Sequence, residues 1–163
     1  MKTLYLMRHA KASHYLQGIA DIHRPLLDEG VSATRLVADH LKGLKINIRH
    51  IVSSPALRAT GTAEAIAQSF SLAKDDIQVY HDLYKADIPA FEDCIYSLPD
   101  EWDHVLIVSH NPGISQFAAD LAGISDDLPT AGLISLTFTM DKWINLFGVR
   151  PVVDFFLQPK DLK

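Results

Sequence analysis

Cysteine is almost missing from this chain. Cys94 is the only one, so no internal disulfide can form and a reducing compartment is expected. Long apolar runs are missing too, and none approaches the roughly 20 residues of a membrane-spanning helix. Residues 1–10 lack the unbroken apolar stretch of a secretory signal, because Arg8 and His9 interrupt it. A surplus of cations is also absent: the net charge of −5 argues against general nucleic-acid binding, which needs Lys and Arg massed on one face. There is no internal repeat, no low-complexity tract, and no His-x-x-x-His or Cys-x-x-Cys pair of the kind that holds a metal. What remains is 163 residues of which 48% are hydrophobic, enough to bury the core of one domain spanning residues 1–163. The expectation is a cytoplasmic protein, away from membrane and nucleic acid. Without a heptad or an apolar interaction stripe, monomer is the default.

Strand-like and helix-like segments alternate along the chain. Leu4 to Met7 suit a buried strand. Residues 11–27 read as polar and irregular, with Gly18 and Pro25 as breakers. Asp28 can cap a helix through about Leu41, with Val31, Leu36, Val37, Ala38 and Leu41 as its apolar stripe. "HIVSS" (50–54) predicts a short strand, followed by a helix from Ala56 to about Phe70 behind Pro55. "IQVYH" (77–81) predicts a strand, Pro89 to Leu98 a helix, and "HVLIVSH" (104–110) a strand buried on both faces. Pro112 to Leu121 predicts a helix stopped by Gly123. "LISLTFTM" (133–140) and "VRPVVDFFL" (149–157) predict two more strands. This order points to a three-layer α/β/α fold around a mainly parallel sheet with an antiparallel edge.

The unusual residues fall at strand ends, where ligands bind in open α/β sheets. The first strand ends in Arg8-His9. "HIVSS" runs into "PALRATGTAE", which places Arg58 in the first turn of a helix. The apolar run 104–110 ends in Ser109-His110-Asn111 before Pro112. Two histidines and two arginines, from separate parts of the chain, thus share one edge of the sheet. Two of the segments also lead into helix starts, whose unpaired N–H groups favour an anion. The combination suits a phosphate-sized anion beside a nucleophile, and the arginines would repel a metal cation.

These segments resemble the histidine phosphatase superfamily, the group that includes phosphoglycerate mutases. "RHA" resembles its Arg-His-Gly signature, "SSPALRATGTAE" the segment of its second arginine and "LIVSHNPGIS" that of its second histidine. "RHAKAS", "DIHRPLLDEG", "SHNPGI" and "LPTAGLISLTF", with Trp143 following, resemble the small SixA-type phosphohistidine phosphatase branch, from Met1 to about Pro159. The resemblance implies a phosphoglycerate mutase-like fold without the helical insertion subdomain, for which there is little room between "IQVYH" and "EWDHVL". It implies that His9 is the nucleophile, that Arg8 and Arg58 bind phosphoryl oxygens, and that His110 completes the pocket. No cofactor is implied. Ala10 departs from the family's usual glycine, but the SixA-type branch commonly has alanine there.

Phosphoryl transfer rests on positioning and charge. His9 must be neutral to attack phosphorus, whereas an unperturbed imidazole is about one-quarter protonated at pH 7. Nearby guanidinium groups disfavour the imidazolium, and a carbonyl accepting from the other ring nitrogen would fix the tautomer. Arginine forks suit two phosphoryl oxygens, each unit-charge contact being worth roughly 4 kcal/mol at about 4 Å before desolvation. His110, if protonated, adds a donor; it could instead act as an acid, and the electrostatic role is favoured. An alkoxide leaving group needs a proton, while the imidazole of phosphohistidine leaves readily. A pocket with no dedicated carboxylic acid therefore suits a histidine-phosphorylated carrier domain best, with small phosphate esters or anhydrides as the alternative. A non-catalytic phosphate-binding module is disfavoured, since a binder needs only the arginines. Asp82 is the one carboxylate near a third strand end, and a turn role is favoured for it. Lys11 is expected to steer an anion, Arg24 to anchor the loop, and His14 and His23 to be solvated. His40, His50, His81 and His104 are assigned no chemistry.

Overall fold

In the computed structural model, which describes residues 1–162, the alternation of β1 (Lys2–Arg8) sets the layers. Leu4 and Leu6 enter one apolar cluster and Tyr5 and Met7 the other, all four buried. A strand buried on both sides needs helices on both sides. β4 (His104–Ser109) pairs in parallel with β1, from Thr3 opposite His104 to Arg8 opposite Ser109. β2 (His50–Ser53) runs parallel beside β4, and β3 (Ile77–Val79) parallel beside β2. On the other flank β5 (Leu133–Phe138) is antiparallel to β1, and β6 (Val152–Leu157) antiparallel to β5. The order is β3-β2-β4-β1-β5-β6, the mainly parallel sheet with an antiparallel flank that the sequence predicts.

Helices α1 (Asp28–Gly43) and α2 (Leu57–Ser69) pack on the Tyr5 and Met7 face. α3 (Ile88–Tyr96) and α4 (Gly113–Ala122) pack on the Leu4 and Leu6 face, with Trp143 buried beside them. Residues 80–103, between β3 and β4, hold a short 3-10 turn and α3, with no inserted subdomain. Gly123 ends α4 in the left-handed conformation, φ 68°.

Three local expectations are corrected. Leu27 is the N-cap of α1, and Asp28 is its first residue, without a capping bond. The buried face of α1 is Gly30, Thr34, Val37, Ala38 and Leu41, a stricter helical period than the predicted stripe; Val31 and Leu36 sit at its margins. Thr34 is tolerated there because its hydroxyl donates to the Gly30 carbonyl at 2.8 Å. Residues 11–27 are not simply irregular. An antiparallel bridge joins Ala12 to Leu26, and the Leu27 N–H donates to the Lys11 carbonyl at 3.0 Å, so the segment leaves and returns at one point. Gly30 allows this closure: a Cβ there would stand 2.4 Å from the Lys11 carbonyl oxygen.

Candidate active site

The parallel register brings the strand ends together. Arg8 lies opposite Ser109, so the next residues, His9 and His110, emerge side by side with ring centroids 5.1 Å apart. The His9 N–H donates to the Ser109 carbonyl at 3.0 Å, closing the pair. One strand further, the Ser54 N–H donates to the Val108 carbonyl at 3.0 Å, and Ser54 Oγ lies 2.6 Å from His110 Nε2. From α2, Thr62 accepts from the Ala10 N–H at 3.0 Å and donates to the Arg58 carbonyl at 2.8 Å. Ala10 is fully buried and lies outside the left-handed backbone region, so its methyl fits without strain.

Arg8, His9, Arg58 and His110 line one cavity of about 440 Å³, together with Arg24 and Glu29. Arg58 and His110 are buried, at 6% and 7% exposure. Both terminal nitrogens of Arg58 donate to Asp21, Nη1 to its carbonyl at 2.7 Å and Nη2 to its carboxylate at 2.9 Å. Arg8 Nη1 donates to the Leu128 carbonyl at 3.2 Å. Arg8 Nε, Arg58 Nε and His110 Nδ1 are buried without a hydrogen-bond partner among the described residues. Buried polar groups ordinarily find partners, so three left over around the cavity that His9 lines make it a candidate place for an anion.

His9 Nδ1 lies 2.7 Å from the Ala10 carbonyl oxygen. A carbonyl only accepts, so Nδ1 carries the hydrogen and Nε2 keeps its lone pair. Burial, ahead of the Arg58, Arg8 and Arg24 charges and against the pull of the Ala10 carbonyl, lowers the His9 pKa to about 4. For His110, burial and then His9 and Arg58 lower it to about 3. The sequence makes the donor role of His110 conditional on protonation; this lowering favours the neutral ring. Ser54 Oγ accepts from the Ala56 N–H at 3.3 Å and pairs with His110 Nε2, the donor there being set by the His110 tautomer; in the tautomer with Nε2 unprotonated the hydroxyl donates. Nδ1–H is then the donor that His110 can offer.

A family model described as Histidine phosphatase superfamily (branch 1) matches residues 4–95. The chain belongs to the histidine phosphatase superfamily. Within it the chain sits with the SixA-type branch. It is 32% identical over 120 residues to the phosphohistidine phosphatase SixA of Escherichia coli (strain K12), covering 72% of this chain and 73% of that protein. The protein histidine phosphatase SixA complexed with tungstate superposes with a TM-score of 0.83 at 27% identity, over 99% of each chain. The mycobacterial glucosyl-3-phosphoglycerate phosphatase in complex with VO3 shares the fold, with a TM-score of 0.71 at 17% identity over 95% of this chain and 98% of that one.

Other predicted residues fall in and out of this cavity. Lys11 and His14 line the cavity, whereas His23 and Asp82 do not. Asp82 sits exposed in the 3-10 turn His81–Leu83, as a turn residue. Arg24 anchors its loop, donating to the Ser13 carbonyl at 2.6 Å and to Asp21 at 2.9 Å, and also lines the cavity. Four participants escaped the sequence reading. Asp21 is a hub that accepts from Arg58, Arg24 and the Tyr84 hydroxyl, the last at 2.6 Å. The Tyr84 bond, then Arg58 and Arg24, hold its carboxyl well below the usual range, against the raising effect of its slight burial. Ser54 and Tyr84 were missed, as was Glu29, the carboxylate on the cavity wall, 3.8 Å from Lys11. The "DIHR" spacing, a carboxylate three residues before an arginine, was the one available signal for Asp21.

Proposed function

We propose that this chain is a metal-independent phosphatase that works through a phospho-His9 intermediate and acts on protein phosphohistidine. One observation carries the reading: the Nδ1–H of His9 is committed to the Ala10 carbonyl at 2.7 Å, leaving the Nε2 lone pair in a cavity walled by Arg8, Arg58 and His110. Nε2 attacks phosphorus in line with the departing imidazole nitrogen; a P–N bond forms at His9 as the substrate's P–N bond breaks, the electron pair leaving with the substrate ring, whose other nitrogen carries a proton taken from solvent so that it departs as neutral imidazole. Water then attacks phospho-His9, its oxygen becoming the fourth oxygen of phosphate, its protons passing to product and solvent, and the electron pair returning to Nε2. The Arg8 and Arg58 guanidinium groups and His110 Nδ1–H stabilise charge on the equatorial oxygens. Cations on the cavity wall do that work, and the same charges oppose a metal ion there. Similarity to proteins described as phosphohistidine phosphatases supports this choice of substrate.

Glu29 favours a second reading. In its protonated form a glutamic acid on the cavity wall can give a proton to an alkoxide, so a small phosphate ester is the alternative substrate. A dephosphorylation screen of histidine-phosphorylated carrier domains beside sugar phosphates and nucleotides separates the two. Higher kcat/KM on the carrier domains is expected; preference for an ester reverses the order.

A further inference from the structure

A second, largely apolar chamber of about 280 Å³ adjoins the proposed catalytic cavity. Ala33 of α1, Pro129 and Ala131 of the segment before β5, and Pro159 beyond β6 supply its apolar wall, and Gln158 and Lys160 also line it. Lys11, Glu29 and Thr130 line both spaces, so the two are compartments of one depression.

The partition between them is built into the catalytic residues. Ala131 holds a left-handed backbone, φ 58°, although it is not glycine. Its N–H donates to the His9 carbonyl at 3.1 Å, and the Arg8 N–H donates to the Gly132 carbonyl at 3.0 Å. The Leu128 carbonyl accepts from Arg8 at 3.2 Å and from Asn111 at 2.9 Å. A non-glycine residue in this region costs about 1 kcal/mol or more and persists where the surroundings enforce it, commonly at functional sites. Here the enforcing partners are the backbones of Arg8 and His9, and the outcome is a wall with the anion cavity on one side and the apolar chamber on the other.

A phosphoryl group has no use for an apolar chamber. A polypeptide that carries phosphohistidine has one, because the side chains near the modified residue must lie somewhere as the phosphorus meets His9. A second observation points to a macromolecule. Directly after His14, which lines the cavity, the chain exposes Tyr15, Leu16 and Ile19 at 74%, 47% and 37%. Apolar residues clustered at the mouth of a site mark contact with another macromolecule, and a free metabolite would leave them in water.

We propose that the chamber walled by Ala33, Pro129, Ala131 and Pro159 is a specificity subsite that receives an apolar side chain flanking the phosphohistidine of a polypeptide substrate. The inference rests on the phosphatase reading above and adds what that reading lacks, the reason a polypeptide is preferred over a free phosphoramidate.

The test is a panel of short peptides, each with one phosphohistidine, in which a single leucine is moved position by position through a glycine-serine background. Leucine at one position raises kcat/KM roughly 10- to 100-fold, mostly through KM, the range set by burying one such side chain. Ala33→Phe, and the milder Ala33→Met with its good helix propensity, fill the chamber and cut that advantage to about threefold or less. Both variants hydrolyse phosphoimidazole, which lacks any flanking residue, at the wild-type rate. A flat panel with wild-type protein, or a leucine advantage that survives both variants, overturns the proposal. Failure of wild-type protein to hydrolyse phosphoimidazole and every peptide strikes the phosphatase reading itself.

Discussion

Asp21 grips Arg58 by both ends of its fork, the main-chain oxygen taking Nη1 at 2.7 Å and the carboxylate taking Nη2 at 2.9 Å. The guanidinium is thereby oriented by a residue 37 positions away, in the segment closed by the Ala12–Leu26 bridge, and its Nε is the nitrogen left over.

In the proposed mechanism Arg58→Ala removes a transition-state donor, and it is expected to lower kcat roughly 10²–10³-fold. Asp21→Ala leaves the arginine present but unaimed, and a smaller loss of roughly tenfold is expected. The decisive reading is the double variant. If Asp21 acts through Arg58, adding Asp21→Ala to Arg58→Ala costs little more, whereas independent roles would multiply the two losses.

The histidines titrate far below their ordinary range, with His9 at about 4 and His110 at about 3. NMR titration of their ring signals should place both midpoints under pH 5. Stability follows with a definite sign. Between about pH 6.5 and 4 the unfolded chain binds protons on these histidines that the folded chain does not, so stability is full above pH 6.5 and falls as the pH drops through that window. For His110 the loss at pH 5 is on the order of 2 kcal/mol. Denaturant unfolding at pH 7.5 and pH 5 should show that His110→Asn flattens the decline; an equal decline in the variant would count against a neutral buried His110.

Glu29→Gln separates the two substrate readings. Phosphohistidine hydrolysis needs no proton from a carboxylate, so its kcat should stay within about threefold of wild type. If hydrolysis of alkyl phosphates falls by roughly 10²–10⁴-fold, as loss of a general acid predicts, while phosphohistidine turnover is unaffected, Glu29 is the acid for esters alone. A comparable fall on phosphohistidine would contradict the leaving-group reasoning.

The sheet was legible in the sequence because its strands are apolar runs between clear breakers. "HVLIVSH" is read as a strand buried on both faces, and β4 is buried from Val105 to Ser109. The clustering of distinctive residues at the ends of β1 and β4 and at the start of α2 was also legible, since strand ends share an edge of a parallel sheet. Asp21, Ser54 and Glu29 were not. Asp21 reaches Arg58 only because the bridge between Ala12 and Leu26 folds residues 11–27 back on themselves, and Ser54 meets His110 only through the register of β2 against β4. Such pairings depend on three-dimensional closure that local patterns do not encode. The lowered pKa of His110 escaped for a similar reason: adjacent arginines can be read from a sequence, but the depth of burial, the largest cause here, cannot.

The account stands or falls on His9. Brief mixing with a phosphoryl donor, acid-free quenching and mass spectrometry should find one phosphoryl group on His9, at Nε2, labile in acid and stable in alkali, and none in His9→Ala, which should also lack turnover. A phosphoenzyme of the same chemistry that persists in His9→Ala would contradict it.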